Sequence, residues 1–264
     1  MKIIDSHCHI YPDKIAFAAS KATGDFYGID VAHNGTFSDL ENESRKANIT
    51  HHIIFSVATT PKQVPSINNF IAKSVSDNPK RFSGLGTLHP DSSDIKGDIE
   101  QIIALGLKGV KLHPDIQKFK IDDYRCLKIY ELCEGRLPIL IHTGDNRFDF
   151  SNPNRLKPIL ETYTDLTVIG AHLGGWSVWE TAAETLSEFD NFMVDTSSSL
   201  YWLEPQKAVE IIRKYGAHKV MFGVDYPVFS PLKELERFVN LSLNEDEKSK
   251  ILYKNAANLF KIEI

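Results

Sequence analysis

The chain has 264 residues and a formal net charge of -5 at pH 7, with a pI near 6.1. This length suits one large α/β domain or two small ones, and either can bury a hydrophobic core. The acidic balance argues against nucleic acid or an anionic membrane as a partner, because both require clustered lysine and arginine. No apolar run is long enough to span a bilayer and the first strand leaves no room for a signal peptide, so we expect a cytoplasmic protein.

The chain opens on a short apolar segment, Ile3–Ile10, which contains two histidines one residue apart. Side chains of a strand alternate between its two faces, so His7 and His9 would share a face about 7 Å apart and could bind one metal ion. A buried strand with two hydrogen-bonded histidines is the alternative interpretation. His-x-His is a short pattern, so the rest of the chain must decide between the two.

The cysteines are Cys8, Cys126 and Cys133, a set too small and too scattered for a disulfide framework or a zinc ribbon. We expect reduced thiols. Cys8 should point away from the neighbouring histidines, into the layer between strands and helices. Cys126 and Cys133 are seven residues apart in a helix-like segment, which favours a packing role.

A long insertion with several aromatic residues, Tyr11–Thr36, follows the first strand. After it come seven further apolar or β-branched runs: His52–Thr59, Phe82–Pro90, Gly109–Pro114, Leu137–Gly144, Leu166–Gly175, Asn191–Ser199 and Lys219–Pro227. Segments with helical periodicity separate most of them: Ile95–Leu105, Tyr124–Glu134, Asn154–Tyr163, Ser177–Phe189 and Pro205–Tyr215. This alternation predicts parallel strands joined by helices.

Eight such units favour a closed (β/α)8 barrel over an open doubly wound sheet. No Gly-x-Gly-x-x-Gly follows any of the runs, and about 250 residues is the usual barrel size. We therefore predict an α/β fold, a single (β/α)8 TIM-barrel domain over residues 1–264, with a long loop insertion after strand 1 and a C-terminal helix. The insertion should form a partial lid over the barrel mouth. The C-terminal helix should begin near Asn244 and pack on the outside of the barrel.

Polar residues concentrate at the ends of the predicted strands, where the active site of such a barrel lies. They are His7 and His9 on strand one, Lys111 and His113 on strand four, His142 on strand five, His172 on strand six and Asp225 on strand eight. Each of these residues taken singly could be a hydrogen-bonded structural group. As a set that meets at one edge of the barrel, they favour a metal site.

Three neutral histidines and one carboxylate suit Zn2+ or a similar ion and leave one coordination position for water. We therefore predict His7, His9, His142 and Asp225 as metal ligands. The ion would lower the pKa of bound water, and Asp225 would accept the proton or orient the nucleophile. His172 would polarise the substrate or donate a proton.

The order His-x-His, Lys, His, His, Asp on these strands resembles the amidohydrolase superfamily. The phrases Ile4–His9, Gly109–Pro114, Ala171–Gly175 and Phe222–Pro227 are similar to those of its amidohydrolase-related branch. That branch includes aminocarboxymuconate-semialdehyde decarboxylase, resorcylate decarboxylases and several lactone or amide hydrolases. The resemblance covers nearly the whole chain and is specific for the fold and the metal site, but not for the substrate.

The resemblance implies one metal ion on the four predicted ligands, with His172 as a catalytic residue. In binuclear members of the superfamily, a carboxylated lysine on strand four bridges two ions, and Lys111 occupies a comparable place. Lys111 could equally anchor a substrate carboxylate. We favour one divalent ion, Zn2+ with Mn2+ as the alternative.

Other candidates for substrate contact are His113, which shares a face with Lys111, and residues of the loops. Gly174 and Gly175 would let the chain turn sharply at Trp176 into a helix whose free amides could hold a carboxylate. Further candidates are Arg147 after strand five, Tyr226 beside Asp225 and, with a weaker claim, His89; each could instead be solvated or packed. Asp195 is predicted as a structural hydrogen-bond acceptor, and Asp5 as an acceptor below the ligands.

These residues predict a metal-dependent hydrolase that attacks an amide, ester or lactone of a small molecule, including molecules that carry a carboxylate. The alternative is a non-oxidative decarboxylase with the same ligands, and a third reading is a barrel that binds without turnover. Hydrolysis is preferred at this point because it requires only an activated water, whereas decarboxylation requires a particular substrate pose. We expect a small-molecule substrate and leave a homo-oligomer open.

Overall fold

Eight parallel strands form the centre of the computed structural model, which describes residues 2–263; Met1 and Ile264 of the predicted domain lie outside it. The strands are β1 (Ile4–His9), β2 (His51–Phe55), β3 (Phe82–Gly84, resuming as Gly86–Thr87), β4 (Val110–Leu112), β5 (Ile139–Ile141), β6 (Val168–Gly170), β7 (Phe192–Asp195) and β8 (Val220–Met221). Successive strands pair in parallel, in chain order. Nearly every strand residue is buried, as expected where helices cover the outer face of the sheet.

The two parts of β3 are separated by Leu85, but the hydrogen-bond ladder passes through this residue. The Leu85 amide donates to the Ile54 carbonyl at 3.0 Å, and the Gly86 amide donates to the Gly109 carbonyl at 2.9 Å. The break in β3 therefore leaves no open edge between β2 and β4.

Backbone hydrogen bonds also join the first strand to the segment that follows the last. The Ser6 amide donates to the Phe222 carbonyl at 2.9 Å, and the His9 amide donates to the Tyr226 carbonyl at 2.7 Å. The ring of strands is thus closed, and the predicted (β/α)8 barrel is confirmed.

The helices are α1 (Asp13–Tyr27), α2 (Phe37–Lys46), α3 (Val64–Asp77), α4 (Ile95–Ala104), α5 (Pro114–Gln117), α6 (Tyr124–Cys133), α7 (Lys157–Thr162), α8 (Trp179–Leu186), α9 (Pro205–Tyr215), α10 (Pro231–Val239), α11 (Glu245–Ser249) and α12 (Asn255–Phe260). In α9, for example, Pro205 occupies the first helical position, and Gly216 follows the last with a φ of 85°. Proline at the start and glycine just past the end are the usual boundary residues of a helix. Each segment predicted as helical contains a helix. No helix among residues 2–263 is both long and apolar enough to cross a bilayer.

The insertion after β1 is present, and its central part is the helix α1 rather than loop. It ends at Gly28, whose φ of 68° lies in the left-handed region that glycine enters without steric cost. Ala16, Ser20 and Gly24 form its buried face. A Cβ on Gly24 would lie 2.7 Å from the Ile29 carbonyl oxygen, so the chain after the helix folds back closely against it.

The C-terminal helical segment differs from the prediction in where it packs. Asn244 caps α11 through a capping box, and a π-helical turn, Lys250–Lys254, leads into α12. Ala256 and Phe260 of α12 pack in an interior cluster with Ile4, Ile53, Phe55, Leu85, Leu140, Ile169, Ala171 and Met221. The prediction of outside packing was right for Ile251 and Leu252, which pack in the layer around the strands. It was wrong for Ala256 and Phe260, which cover the end of the barrel interior opposite the histidines.

Candidate metal and active site

Three of the predicted ligands converge where β1 ends and the chain leaves β8. The Nε2 atoms of His7 and His9 lie 3.5 Å and 3.7 Å from the same oxygen, Asp225 Oδ1. These three donors form one of the groups in the described chain whose ligand atoms are close enough to hold an ion. Two imidazoles and a carboxylate directed at one point are a donor set that suits a divalent cation.

Two of the predicted site residues have backbone conformations that non-glycine residues rarely adopt. Asp225 has a φ of 70° and His172 a φ of 60°. Such residues cost free energy and persist only where the surrounding structure holds them, which is common at functional sites. The backbone around them therefore supports a functional role.

Asp195 fixes the orientation of His7. Its Oδ2 lies 2.8 Å from His7 Nδ1, and its Oδ1 accepts from the His172 amide at 3.1 Å. With Nδ1 donating to the carboxylate, Nε2 of His7 keeps its lone pair and faces Asp225. The sequence predicted Asp195 only as a structural acceptor, and the structure shows which ring it positions.

Asp5 lies below the ligands, as predicted. Its Oδ1 accepts from the amides of His7 at 3.1 Å and Val224 at 2.9 Å, which ties β1 to the residue before Asp225. Cys8 donates to Asp5 Oδ2 at 3.0 Å and is buried outside the barrel interior, also as predicted.

Burial determines the charge of the site. It lowers the pKa values of His7, His9 and His142 well below their usual range, so these rings are neutral at pH 7 and offer lone pairs to a cation. Burial also raises the pKa of Asp225 to about 6, against the opposing hydrogen bond from Ser198. The Ser198 hydroxyl lies 2.5 Å from Asp225 Oδ2.

The fourth predicted ligand, His142, lies beside the three converging donors rather than among them. Its Nδ1 is 3.0 Å from His172 Nε2, and its Nε2 is 3.5 Å from Asp115 Oδ2. Its ring stacks on His113 with centroids 4.0 Å apart. Because both ring nitrogens face other groups, its ligation of the same ion stays a prediction.

Asp115 was not found from the sequence. It lies in the first turn of α5 and is 4% exposed, and burial raises its pKa to about 6. It forms a second group with His113 and His142 whose ligand atoms lie close together. The only signal was an acidic residue two positions after His113, which helix-start preferences explain equally well.

Lys111 is fully buried among the ligands. Its Nζ lies 3.4 Å from His7 Nε2 and 5.2 Å from the centre of the Phe55 ring. Burial lowers its pKa to about 8, so the ammonium form still predominates at pH 7. The side chain is placed to meet an anionic oxygen, and a carboxylated Lys111 that bridges two ions is the alternative that the sequence did not favour.

The lid helix touches the site through Tyr27, the last residue of α1. Its hydroxyl lies 2.8 Å from His113 Nε2, and its ring packs edge-on against Trp176 at 5.3 Å. The sequence marked Tyr27 only as an aromatic residue of the insertion. Tyr27 and His113 are far apart in the sequence, so residue spacing could not predict this contact.

Arg147 is placed away from the cavity that leads to the site. Its Nε and Nη2 donate to Asp145 at 2.9 Å and 2.7 Å, and its Nη1 donates to the Phe26 carbonyl at 2.8 Å. The guanidinium also lies 5.1 to 5.7 Å from the centres of four rings, those of Phe26, Tyr27, Phe148 and Trp176. It therefore fastens α1 to the loop after β5.

Tyr226 also faces away from the site, although it follows Asp225 directly. Its hydroxyl donates to Asp39 at 2.9 Å and to the Thr36 carbonyl at 3.1 Å, and the side chain is fully buried. His89 accepts from the Asp91 amide at 3.2 Å. Neither residue is among the described residues that line the cavity, whereas Trp176 is.

The cavity has a volume of about 540 Å³. Its floor carries the predicted polar residues His9, Lys111, His113, His142, His172 and Asp225. Residues of α1, α3 and the loops after β7 and β8 form the walls, and most of these side chains are apolar. The site is thus a small polar floor below a larger apolar space.

The family of the chain follows from its sequence as a whole. The model of the amidohydrolase family, Amidohydro_2, matches residues 4–262. The chain belongs to this family and is an enzyme of the amidohydrolase superfamily.

One curated relative is the 2-amino-3-carboxymuconate-6-semialdehyde decarboxylase of Dictyostelium discoideum, 39% identical over 70 residues. The match spans 26% of this chain and 20% of that protein. It is therefore a local similarity.

Three solved structures share the fold over nearly their whole length. An uncharacterised TIM-barrel protein from Bordetella bronchiseptica has a TM-score of 0.83 and 21% identity, with 99% of both chains covered. A dihydroxybenzoic acid decarboxylase from Polaromonas, with bound manganese and the inhibitor 2-nitroresorcinol, has a TM-score of 0.74 and 17% identity, with 98% and 97% covered. A probable 2-pyrone-4,6-dicarboxylic acid hydrolase from Acinetobacter baumannii, with citric acid bound, has a TM-score of 0.73 and 18% identity, with 99% and 100% covered.

Proposed function

We propose that the protein is a metal-dependent, non-oxidative decarboxylase of an acid whose carboxylate is attached to an aromatic or other unsaturated carbon. The observation that carries the proposal is the position of Asp225. This carboxyl group lines the floor of a mainly apolar cavity, and its Oδ1 faces the Nε2 atoms of His7 and His9. It is therefore placed to pass a proton taken up from solvent to the carbon of a substrate bound on this floor.

The comparisons support decarboxylation more than hydrolysis. The curated relative is a decarboxylase, and so is the fold neighbour that binds manganese. We therefore prefer decarboxylation over hydrolysis, which reverses the preference drawn from the sequence.

His7, His9 and Asp225 would hold the metal ion, with His142 as the predicted fourth ligand. When bound, a divalent ion would neutralise negative charge on the substrate and polarise one of its oxygens. The donor set suits Zn2+, and the manganese of the Polaromonas enzyme makes Mn2+ the ion to compare with it.

The remaining steps belong to this chain's own side chains. The Lys111 ammonium binds an anionic oxygen of the substrate. Asp225 delivers one proton to the carbon that carries the carboxylate. The bond between that carbon and the carboxylate then breaks, its electron pair restores the unsaturated system, and CO2 leaves.

His172 has a different role in this scheme. Burial lowers its pKa to about 4, so the ring is neutral and a poor proton donor at pH 7. Its Nδ1 lies 3.1 Å from the Ser197 carbonyl, which leaves Nε2 facing His142. We assign His172 to orienting His142.

Exclusion of water favours the same reaction. The Tyr27 hydroxyl meets His113, and the Arg147 hydrogen bond to the Phe26 carbonyl holds the lid helix over the floor. A carboxylate brought into this space loses solvation, and this cost is removed when protonation of the carbon cancels the charge and CO2 departs uncharged.

Hydrolysis of a lactone, ester or amide is the second candidate. The same ligands could activate a water molecule, and the Acinetobacter baumannii neighbour is described as a probable hydrolase of a pyrone dicarboxylic acid. Such a reaction would need no proton transfer to carbon, which separates the two candidates experimentally.

The test is an assay of the protein loaded with Zn2+ or Mn2+, in D2O, against hydroxybenzoates with labelled carboxylates and against lactones and amides. We expect release of labelled CO2 and one deuterium at the vacated carbon. Asp225→Asn should abolish both, whereas Asp190→Asn, at a fully exposed side chain, should change neither. Hydrolysis without CO2 release would establish the second candidate, and a protein that binds no metal and turns nothing over would be a binding barrel.

A further inference from the structure

The cavity extends from its polar floor into a space that the proposed chemistry does not use. We call this space the apolar arm; it is lined by Ile15, Ile29, Ile67, Phe70, Trp202 and Phe229. The whole cavity, at about 540 Å³, falls in the range that accommodates drug-sized ligands. A single substituted ring seated on the floor would leave the arm unfilled.

The charges around the cavity differ between its two ends. Among the described lining residues the cationic side chains are Lys111 and Lys14, and no arginine is present. Lys111 is fully buried at the floor, and Lys14 is exposed. A carboxylate placed in the arm would lose part of its hydration without a buried cationic partner, which is costly. The arm therefore suits an uncharged group.

Two large apolar side chains of the arm are partly exposed to solvent. Ile15 is 45% exposed and Trp202 is 47% exposed. Exposed apolar surface beside a cavity is typical of a binding site, because a ligand that covers it removes it from water. Phe17 on the same helix is more exposed, at 76%, yet it is not among the described residues that line the cavity.

We infer that the substrate has one carboxylate-bearing head and an uncharged, apolar substituent of several carbons that occupies the apolar arm. The identity of the head rests on the proposed function, but the preference of the arm concerns binding and is measured without turnover. Each methylene buried in the arm should tighten binding about three- to fourfold.

The experiment is a calorimetric titration of the metal-loaded protein with three acids that share one head. They are 2-hydroxybenzoate, its 4-butyl derivative, and its 4-carboxy derivative. We expect the butyl compound to bind at least about tenfold more tightly than the unsubstituted acid. The dicarboxylate should bind no more tightly than the unsubstituted acid. A butyl group that adds no affinity, a dicarboxylate that binds as tightly as the butyl compound, or no binding by any of the three would overturn the inference.

A pair of variants on α1 locates the effect. Ile15→Asp places a charge in the arm and should reduce the butyl advantage to about twofold or less. Phe17→Asp adds the same charge to the same helix outside the cavity, and should keep the full advantage. Equal losses in both variants would refute the assignment of the arm.

The CO2 assay separates failure of this inference from failure of the proposed function. If the butyl compound binds tightly but none of the acids releases CO2, the decarboxylase proposal fails and the arm assignment stands. If 2-hydroxybenzoate releases CO2 and the butyl group changes neither affinity nor rate, the arm assignment alone fails.

Discussion

The two ends of the barrel interior are built from the same strands and differ in almost every physical respect. At one end Ile4 and Met221 pack with Phe260 in a fully apolar cluster. At the other end an imidazole nitrogen of His7 and a carboxyl oxygen of Asp225 lie 3.5 Å apart. Chemistry and stability thus come from opposite ends of one core, and substitutions at the two ends should affect different measurements.

The largest effect is expected at the polar end. His9→Ala removes one of the three converging donors and should lower turnover by about 10³-fold or more, because a bound metal supplies several kcal/mol of transition-state stabilisation. Metal content should fall with it, while the free energy of unfolding of the metal-free protein stays nearly constant. His218→Ala, at an exposed histidine, is the matched control. Full turnover in His9→Ala would refute the proposed metal site.

At the apolar end we expect a loss of stability without a loss of turnover. Phe260→Ala should lower the free energy of unfolding by about 3–5 kcal/mol through lost burial and a residual cavity, measured by denaturant titration. Turnover per folded molecule should not change. Phe17→Ala, at an exposed phenylalanine, should cost less than about 0.5 kcal/mol. A large loss of turnover in Phe260→Ala with unchanged stability would contradict the assignment of stability to the apolar end.

A smaller effect is expected one contact away from the ligands. Asp195→Asn cannot fix the ring of His7 as the carboxylate does, so metal affinity should fall about 10- to 100-fold, measured by competition with a chelating dye. Asp190→Asn provides the same change at a fully exposed position. Unchanged affinity in Asp195→Asn would show that Asp195 serves packing rather than the site.

The smallest effect concerns the lid. Tyr27→Phe removes the hydroxyl that meets His113 and should weaken ligand binding by about 0.5–1.5 kcal/mol, roughly two- to tenfold. Tyr124→Phe, at an exposed tyrosine, should have no effect on the same titration. If both variants bind equally well, the lid is held by Arg147 alone.

The sequence predicted the features that repeat along the chain. The alternation of strands and helices gives the barrel, and the general rule that active sites lie at the C-terminal mouth led to His7, His9 and Asp225. The sequence could not predict the direction of side chains that lie beyond the end of a strand. Arg147 and Tyr226 lie in the segments that follow strands five and eight, as His142 and Asp225 do, yet they contact the lid and α2.

The same limit explains the C-terminal segment and Asp115. Helical spacing identified the apolar side of α12, but spacing does not say which surface that side covers. The interior cluster needed a cover at its open end, and Phe260 provides it. Asp115 follows a proline at the start of a short helix, where an acidic residue is ordinary, so only its burial beside His142 distinguishes it.

The closure of the barrel has a consequence for the order of assembly. The Asp225 amide donates to the His7 carbonyl at 2.9 Å, so one of the hydrogen bonds that close the strand ring lies between two prospective ligands. A partly folded chain lacks this hydrogen bond, so the prospective ligands are not assembled and cannot bind one ion together. Cation capture would then report the completion of the ring, and its release on heating would mark the moment the ring reopens.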